Sequence, residues 1–251
     1  MEKDFATVIM AAGKGTRMKN SEKAKVMFEL AGKPMIQYVV ELALALKSSR
    51  VITVVGFQRE SVIAHVRKVS PMVEFAVQDP QLGTGHAIMQ AKMPLHDFEG
   101  NVLVLSGDVP LLRQESANDL ITFHHTSQAV ATILTADLEE PTGYGRILRD
   151  EAGHVVGIVE EKDATPAQRK VQEINSGIYI FDSVRLFEAL SHINAKNAQG
   201  EYYLTDVFGY FWAQHLKVAA KKGAQFNELR GINTLEQLQE AERLVLGRNI
   251  A

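Results

Sequence analysis

The stretch Ala11-Ala12-Gly13-Lys14-Gly15-Thr16-Arg17-Met18 is the first part of this chain whose residue types and spacing suit chemistry. Small residues and two glycines let a backbone turn tightly and come close to a ligand. Successive N–H groups in such a turn cup phosphate oxygens. Lys14 and Arg17 add positive charge against a polyphosphate, and Lys25 offers a second cationic arm. Neither common phosphate motif fits. Met18 stands where G-x-G-x-x-G needs its last glycine, and G-x-x-x-x-G-K-[ST] occurs nowhere, although Gly32-Lys33-Pro34 has the look of its end. The bland alternative is a strand–helix turn with solvated cations.

Two further segments invite the same kind of reading. In Gln78-Asp79-Pro80-Gln81-Leu82-Gly83-Thr84-Gly85-His86-Ala87, glycines let the backbone approach a planar base, and Gln amides offer both donor and acceptor. Uracil alternates acceptor, donor and acceptor on its pairing edge, which suits that set. A helix N-terminus capped by Thr84 explains the threonine but not the flanking glycines. In Leu103-Val104-Leu105-Ser106-Gly107-Asp108-Val109-Pro110-Leu111 an apolar strand ends abruptly in Gly-Asp. Ligands of open α/β sheets bind at such strand ends. A carboxylate there suits Mg²⁺, which takes few protein carboxylates plus phosphate oxygens and water. A turn-forming Asp is the alternative.

These segments must be held by something, and the apolar pattern says what. Thr7–Met10, Val51–Val55, Val73–Val77 and Val102–Leu105 read as strands, with helical spacing between them over Met35–Lys47, Glu60–Lys68 and Thr84–Lys92. Strands apolar on both faces that alternate with helices imply a doubly wound, Rossmann-like α/β fold. After about residue 127 the pattern turns to Val130–Leu134, Val155–Glu160 and Gly177–Phe181, strand-like with few helices between. We expect one continuous domain over 1–251 with a mixed sheet: a nucleotide-binding lobe over about 1–127, a smaller β-rich lobe over about 128–232, and a C-terminal helix over 233–251.

Composition excludes much else. Of 251 residues 46% are apolar and 23% charged, enough for a sizeable core. A net charge of −3 is unlike a nucleic-acid binder. The absence of cysteine removes disulfides, thiolate metal sites and thiol nucleophiles. Met1-Glu2-Lys3-Asp4 begins no signal peptide, and no apolar run is long enough to span a membrane, so a cytoplasmic protein is expected. His124-His125 falls on a polar helical stretch and is expected to face solvent, whereas His86 is a local hydrogen bonder. No histidine pair suits zinc, and no motif supports a covalent nucleophile.

Met10–Met18, continuing through Lys25-Val26 to Gly32-Lys33-Pro34-Met35, resembles the signature of sugar-nucleotide pyrophosphorylases. That pattern runs G-x-G-T-R-M and then P-K; here Ala24 replaces the proline, which would have fixed the local φ. Gln81-Leu82-Gly83-Thr84-Gly85-His86-Ala87 is similar to the Q-L-G-T-G-H-A of bacterial N-acetylglucosamine-1-phosphate uridylyltransferases. Gly107-Asp108-Val109-Pro110-Leu111 matches too, with Ser106 where those proteins often carry Tyr. Gly143-Tyr144-Gly145-Arg146-Ile147 resembles their G-Y-G-R-I turn, Ile158–Asp163 their I-V-E-x-K-D and Glu173–Gly177 their E-I-N-T-G. Asn197–Asp206 and Gly231-Ile232-Asn233 continue the match to about residue 235.

The resemblance implies transfer of a uridylyl group from UTP to N-acetylglucosamine 1-phosphate with Mg²⁺. It implies Arg17 and Lys25 as catalytic residues, and Ala11, Ala12, Gly13, Gly15, Gln78, Gln81, Gly83 and Thr84 around the nucleotide. Gly145, Glu160, Asn175, Tyr202 and Thr205 would hold the sugar, and Asp108 and Asn233 the metal. Another sugar 1-phosphate, dTTP in place of UTP, a non-sugar acceptor and a non-catalytic nucleotide-binding module are the competing readings. Many such relatives continue into a β-helix of hexapeptide repeats, through which they trimerise. No such repeat occurs here, so a stand-alone enzyme and one half of a bifunctional one both stay open, as does oligomeric state.

Overall fold

The computed structural model describes residues 4–18, 22–223 and 225–248. The chain opens with β1 (Phe5–Ala11), then a minimal hairpin of β2 (Glu29–Leu30) and β3 (Lys33–Pro34). Next come α1 (Met35–Ala45), β4 (Arg50–Val55), α2 (Arg59–Val69), β5 (Glu74–Val77), α3 (Thr84–Met89), β6 (Asn101–Ser106) and α4 (Gln114–Ser127). The second half holds β7 (Ala131–Asp137), β8 (Gly145–Arg149), β9 (Val155–Val159), β10 (Glu173–Asp182), α5 (Ser183–Leu190) and α6 (Asp206–Ala213). It ends with β11 (Val218–Lys222), α7 (Phe226–Leu229) and α8 (Leu235–Arg248). The end of the expected helix, residues 249–251, lies outside the described residues, as does the expected absence of a leader at 1–3.

A nine-stranded sheet runs β11-β7-β10-β6-β1-β4-β5, with β8 added to β10 and β9 to β8. β6-β1-β4-β5 are mutually parallel, and β10 runs antiparallel to β6, β7 and β8. Alternation along β1 explains the two layers, because successive side chains of a strand point to opposite faces. Ile9 joins one core with Val39, Val62, Val66 and Leu120, from α1, α2 and α4. Val8 joins the other with Ile88, Leu186 and Phe208, from α3, α5 and α6. Both faces of the central strands are therefore covered, as their near-continuous apolar runs require.

Two sequence expectations change. Among the described residues no α-helix interrupts the stretch from β7 to β10, where few were expected; α5 and α6, at eight residues each too short for a clear helical period, follow β10. The G-Y-G-R-I segment contributes a strand, β8, as well as a turn. His124 is buried rather than solvent-facing, within reach of Thr132 Oγ1 at 2.8 Å and Asn101 Oδ1 at 3.4 Å. The polar partners let α4 bury a histidine against the sheet without leaving its nitrogens unsatisfied. Among the described residues no helix is long and apolar enough to cross a membrane.

Candidate functional site

The C-terminal ends of β1 and β6 and the segment that follows β5 open onto a cleft of ≈ 490 Å³. Ala11 at the end of β1 and Ala12, Gly13 and Gly15 after it line the cleft, together with Lys14 and Lys25. Gly15 has φ +63, and its missing side chain leaves room for the Lys25 methylenes packed against it. Lys25 lies in a short 3₁₀ turn whose flanking Ala24 has φ −60. That is the angle proline would impose, so the Ala24 replacement preserves the backbone, and Ala24 is fully buried.

The opposite wall is the segment 78–87. Gln78 is buried, and its Nε2 donates to Gly83 O at 2.8 Å and lies 3.3 Å from His86 Nδ1. Gln81 Nε2 donates to Gln78 O at 3.1 Å, and Gln81 lines the cleft. Thr84 does not cap α3: Gly83 occupies that position, and the Thr84 hydroxyl accepts instead from the Leu204 N–H at 3.0 Å. Two main-chain bonds reinforce this link, Tyr202 N–H to Leu82 O at 2.8 Å and Gly85 N–H to Tyr202 O at 2.7 Å. Gly83 is thus pressed against residue 202 at φ +110 and ψ 176, a region open essentially to glycine alone. A Cβ there would lie 2.6 Å from Tyr202 O. Gly83→Ala accordingly costs about 1–3 kcal/mol of stability. Gly13→Ala, with nothing within 4 Å of its Cβ, barely moves the melting temperature. Equal thermal shifts in the two variants contradict this.

A second cavity of ≈ 200 Å³ adjoins the first, and Met10, Thr84 and Ser106 line both. Gly145, Glu160, Asn175 and Thr205 line the smaller one. A register shift in β10 between Asn175 and Tyr179 re-aims this stretch, as bulges do beside sites. The Asn175 amide donates to the Tyr179 hydroxyl at 2.8 Å. The Thr205 hydroxyl donates to Glu160 Oε1 at 3.1 Å. Burial pushes the Glu160 carboxyl above its ordinary range; the Thr205 hydrogen bond opposes this, and the Asp163 and Asp206 carboxylates add to the rise. Tyr202 lines neither cavity; it pins the 82–85 loop through its main chain.

At the wall of the larger cavity the two expected cation ligands come together around Lys25. β6 delivers Asp108 to the cleft. The segment after α7 delivers Asn233, and the Ile232 N–H donates to Asp108 O at 2.9 Å. Buried Leu229 and Ile232 anchor that segment on its N-terminal side. On the other side a reciprocal box starts α8, with the Thr234 N–H donating to Gln237 Oε1 at 3.2 Å and the Gln237 N–H to Thr234 Oγ1 at 3.2 Å. Thr234 therefore does the capping and leaves the Asn233 side chain to the site. The Lys25 ammonium donates to both Asp108 Oδ2 and Asn233 Oδ1, the latter at 3.0 Å, and Arg17 Nη2 donates to Asn233 Oδ1 at 2.8 Å.

A cationic group thus already sits between a carboxylate and an amide oxygen. That donor set is hard and all oxygen, as a hard divalent cation requires. Among the described residues no cluster of three or more His, Cys, Asp or Glu side chains forms a closed cage. The residues fit a cation that completes its shell with substrate oxygens and water.

Sequence reasoning missed several groups in and behind the walls of the site. Gly56 packs behind two lining residues: a Cβ there would meet Gln81 Nε2 at 2.7 Å and Ala12 O at 2.8 Å. Its place at the end of β4 was the available signal. Glu201 lines the larger cleft within a motif read only for its neighbours. Arg146, the largest fully buried side chain, pairs with Glu161 at 2.7 Å beside the smaller cavity. No local pattern announces such a burial.

Comparison with known proteins agrees with this fold. The family described as nucleotidyl transferase matches residues 6–227. The bifunctional protein GlmU of Streptococcus mutans is 46% identical over 96% of this chain and 52% of its own length. Its namesake in Streptococcus equi subsp. zooepidemicus is 48% identical over 98% of this chain and 52% of its own. The chain therefore spans about half the length of the curated relatives it matches. Among solved structures, UDP-glucose pyrophosphorylase in complex with UDP-glucose superposes with a TM-score of 0.76 at 20% identity, over 99% of this chain and all of that one. The apo form of a UDP-glucose pyrophosphorylase reaches 0.79 at the same identity and coverage. Such distant likenesses establish the fold, and the match from β1 into α7 establishes the lineage: this chain belongs to the nucleotidyl transferase family.

Proposed function

We propose that this chain joins UTP to N-acetylglucosamine 1-phosphate, giving UDP-N-acetylglucosamine and pyrophosphate. The observation that carries the reading is the convergence of Lys25, Asp108 and Asn233 at the larger cavity, which Lys25 and Asp108 line and which shares Met10, Thr84 and Ser106 with the smaller one. The larger cavity takes the nucleotide, with loop amides at 11–15 on its phosphates and Gln81, Gly83 and Thr84 along the base. Gln78 lines the same cavity and holds that loop through its bond to Gly83 O. The smaller cavity takes the sugar through Gly145, Glu160, Asn175 and Thr205, and Tyr202 supports it by fixing the segment that carries Thr205.

An oxygen of the sugar phosphate attacks the α-phosphorus in line. That P–O bond forms as the bond to the β-phosphate breaks, and pyrophosphate leaves. The attacking phosphate is already an anion, so positioning and charge neutralisation are needed rather than an acid–base pair. Asp108 and Asn233 would hold Mg²⁺, which when bound neutralises phosphate oxygens. Lys25 pairs with charge at the reacting phosphates, and Arg17 with the triphosphate and the departing pyrophosphate. The separation of tasks follows an uneven division of one sheet: a nucleotide half over about 1–127 and a sugar half over about 128–232. A cytoplasmic setting suits both substrates.

Pyrophosphate release across a panel of triphosphates and sugar 1-phosphates tests this. The expected maximum is with UTP and N-acetylglucosamine 1-phosphate. An equal rate with dTTP or a higher one with another sugar replaces the substrate assignment, and no release with any pair leaves a binding module.

Glu160 supplies a pH test. Its ionised form accepts hydrogen bonds from sugar hydroxyls, and burial raises its pKa above the usual value of about 4.3. The KM for the sugar phosphate therefore climbs as pH falls through that raised pKa. Glu160→Gln has a higher KM at neutral pH, and the ratio of the two KM values shrinks toward acid. Taking the ratio cancels titration of the substrate itself. A ratio constant with pH contradicts the assignment.

A further inference from the structure

Glu228 is an acid whose side chain is only 4% exposed, and it takes no part in the chemistry above. A buried carboxylate needs partners. The Ser116 hydroxyl donates to Oε2 at 2.6 Å, a charge-assisted length. The Arg113 N–H donates to the same oxygen at 3.4 Å, and Arg113 Nε stands 3.5 Å from Oε1. Arg113 and Ser116 are the N-cap and first turn of α4, where helix N–H groups favour negative charge.

Where these two segments lead gives the contact its meaning. The chain just before Arg113 runs back through buried Leu112 and Leu111 to Asp108. The chain just after Glu228 runs through buried Leu229 and Ile232 to Asn233. The Ile232 N–H already ties the two at Asp108 O. Glu228 closes a second tie at their base.

The geometry points to Glu228 as a positioning residue for the divalent cation. By clamping α7 to the start of α4 it sets the separation of the Asp108 carboxylate and the Asn233 amide oxygen, and it touches neither substrate nor metal. This rests on the reading that Asp108 and Asn233 hold the cation. Without the clamp the segment 229–233 opens more readily and the cation binds less tightly.

Mn²⁺ titrations followed by electron paramagnetic resonance, with UTP present and sugar phosphate absent, test it. Glu228→Gln keeps the size but drops the charge facing Arg113 and the strong bond from Ser116. It raises the Mn²⁺ dissociation constant about tenfold, the low end for outer-shell supports of a metal site. Amide exchange over 229–233 quickens in its metal-free form, and kcat at saturating Mn²⁺ changes little. Ser116→Ala shifts both readouts the same way by less, and it decides the matter if Glu228→Gln does not fold. Leu186→Ala, a cavity in the core on the other side of the sheet, leaves Mn²⁺ affinity alone and so separates this effect from lost stability. Unchanged Mn²⁺ affinity in Glu228→Gln, or an equal loss in Leu186→Ala, overturns the positioning role. Asp108→Asn runs alongside. If it binds Mn²⁺ normally, the cation reading itself fails; if it loses Mn²⁺ while Glu228→Gln keeps it, only the role of Glu228 fails.

Discussion

Asp108→Asn lowers kcat by about 10²–10³-fold at saturating substrates and metal, the range for removing one preorganised electrostatic group from a transition state. The substitution keeps shape and leaves an oxygen in place, so the change is one of charge. Asp108 lines the larger cavity and meets the Lys25 ammonium, which also reaches Asn233 Oδ1. Its loss removes the only anionic protein ligand in the expected set and leaves Asn233 alone. The fold should survive. The carboxylate is partly exposed, and such ion pairs contribute little, whereas the Asp108 main-chain bond from Ile232 is untouched. Excess Mg²⁺ restores part of the activity if weakened metal binding is the main defect. An unchanged kcat in a folded Asp108→Asn variant contradicts the account.

Arg17→Ala cuts kcat/KM for UTP by about 10²-fold, near 2.7 kcal/mol of transition-state stabilisation, with the melting temperature hardly moved. The stability half follows from magnitudes. Arg17 is exposed and, among the described residues, bonds to Asn233 Oδ1 at 2.8 Å, worth about 0.5–1.5 kcal/mol. Leu229 and Ile232, wholly buried beside Asn233, each contribute about 1.5–3 kcal/mol and hold that segment without it. The functional half follows from the guanidinium fork, which matches phosphate oxygens as an ammonium does not. Arg17→Lys therefore recovers only part of the loss. Full recovery by lysine, or a large fall in melting temperature with alanine, shows that Arg17 acts otherwise.

The sequence discloses residues whose chemistry is carried by short local patterns. The glycine loop at 13–15, the strand-end Asp108 and the Gln78–Ala87 segment each combine a backbone need with a side-chain type. All of these reach the cleft. Strands buried on both faces were equally legible, because Val8 and Ile9 serve opposite cores within one apolar run. What stayed hidden depends on distant partners. His124 looks solvated until Thr132 and Asn101 are brought beside it. Thr84 looks like a cap until Leu204 offers its N–H. Arg146 and Glu228 look like ordinary surface charges, and only the folded chain surrounds them. The role proposed for Asn233 came from its motif, and its side chain is free for that role because Thr234 and Gln237 take over the helix cap.

The measurement closest to the central claim is a crystal of the full chain grown with Mn²⁺ and a non-hydrolysable UTP analogue, with anomalous differences collected at the manganese edge. A single peak at inner-sphere distance, about 2.1 Å, from an oxygen of Asp108 and the side-chain oxygen of Asn233, with the Lys25 ammonium moved onto a phosphate, is the expected result. A peak held by other side chains, or Lys25 still seated between Asp108 and Asn233 with the nucleotide bound and no metal beside it, would contradict the account.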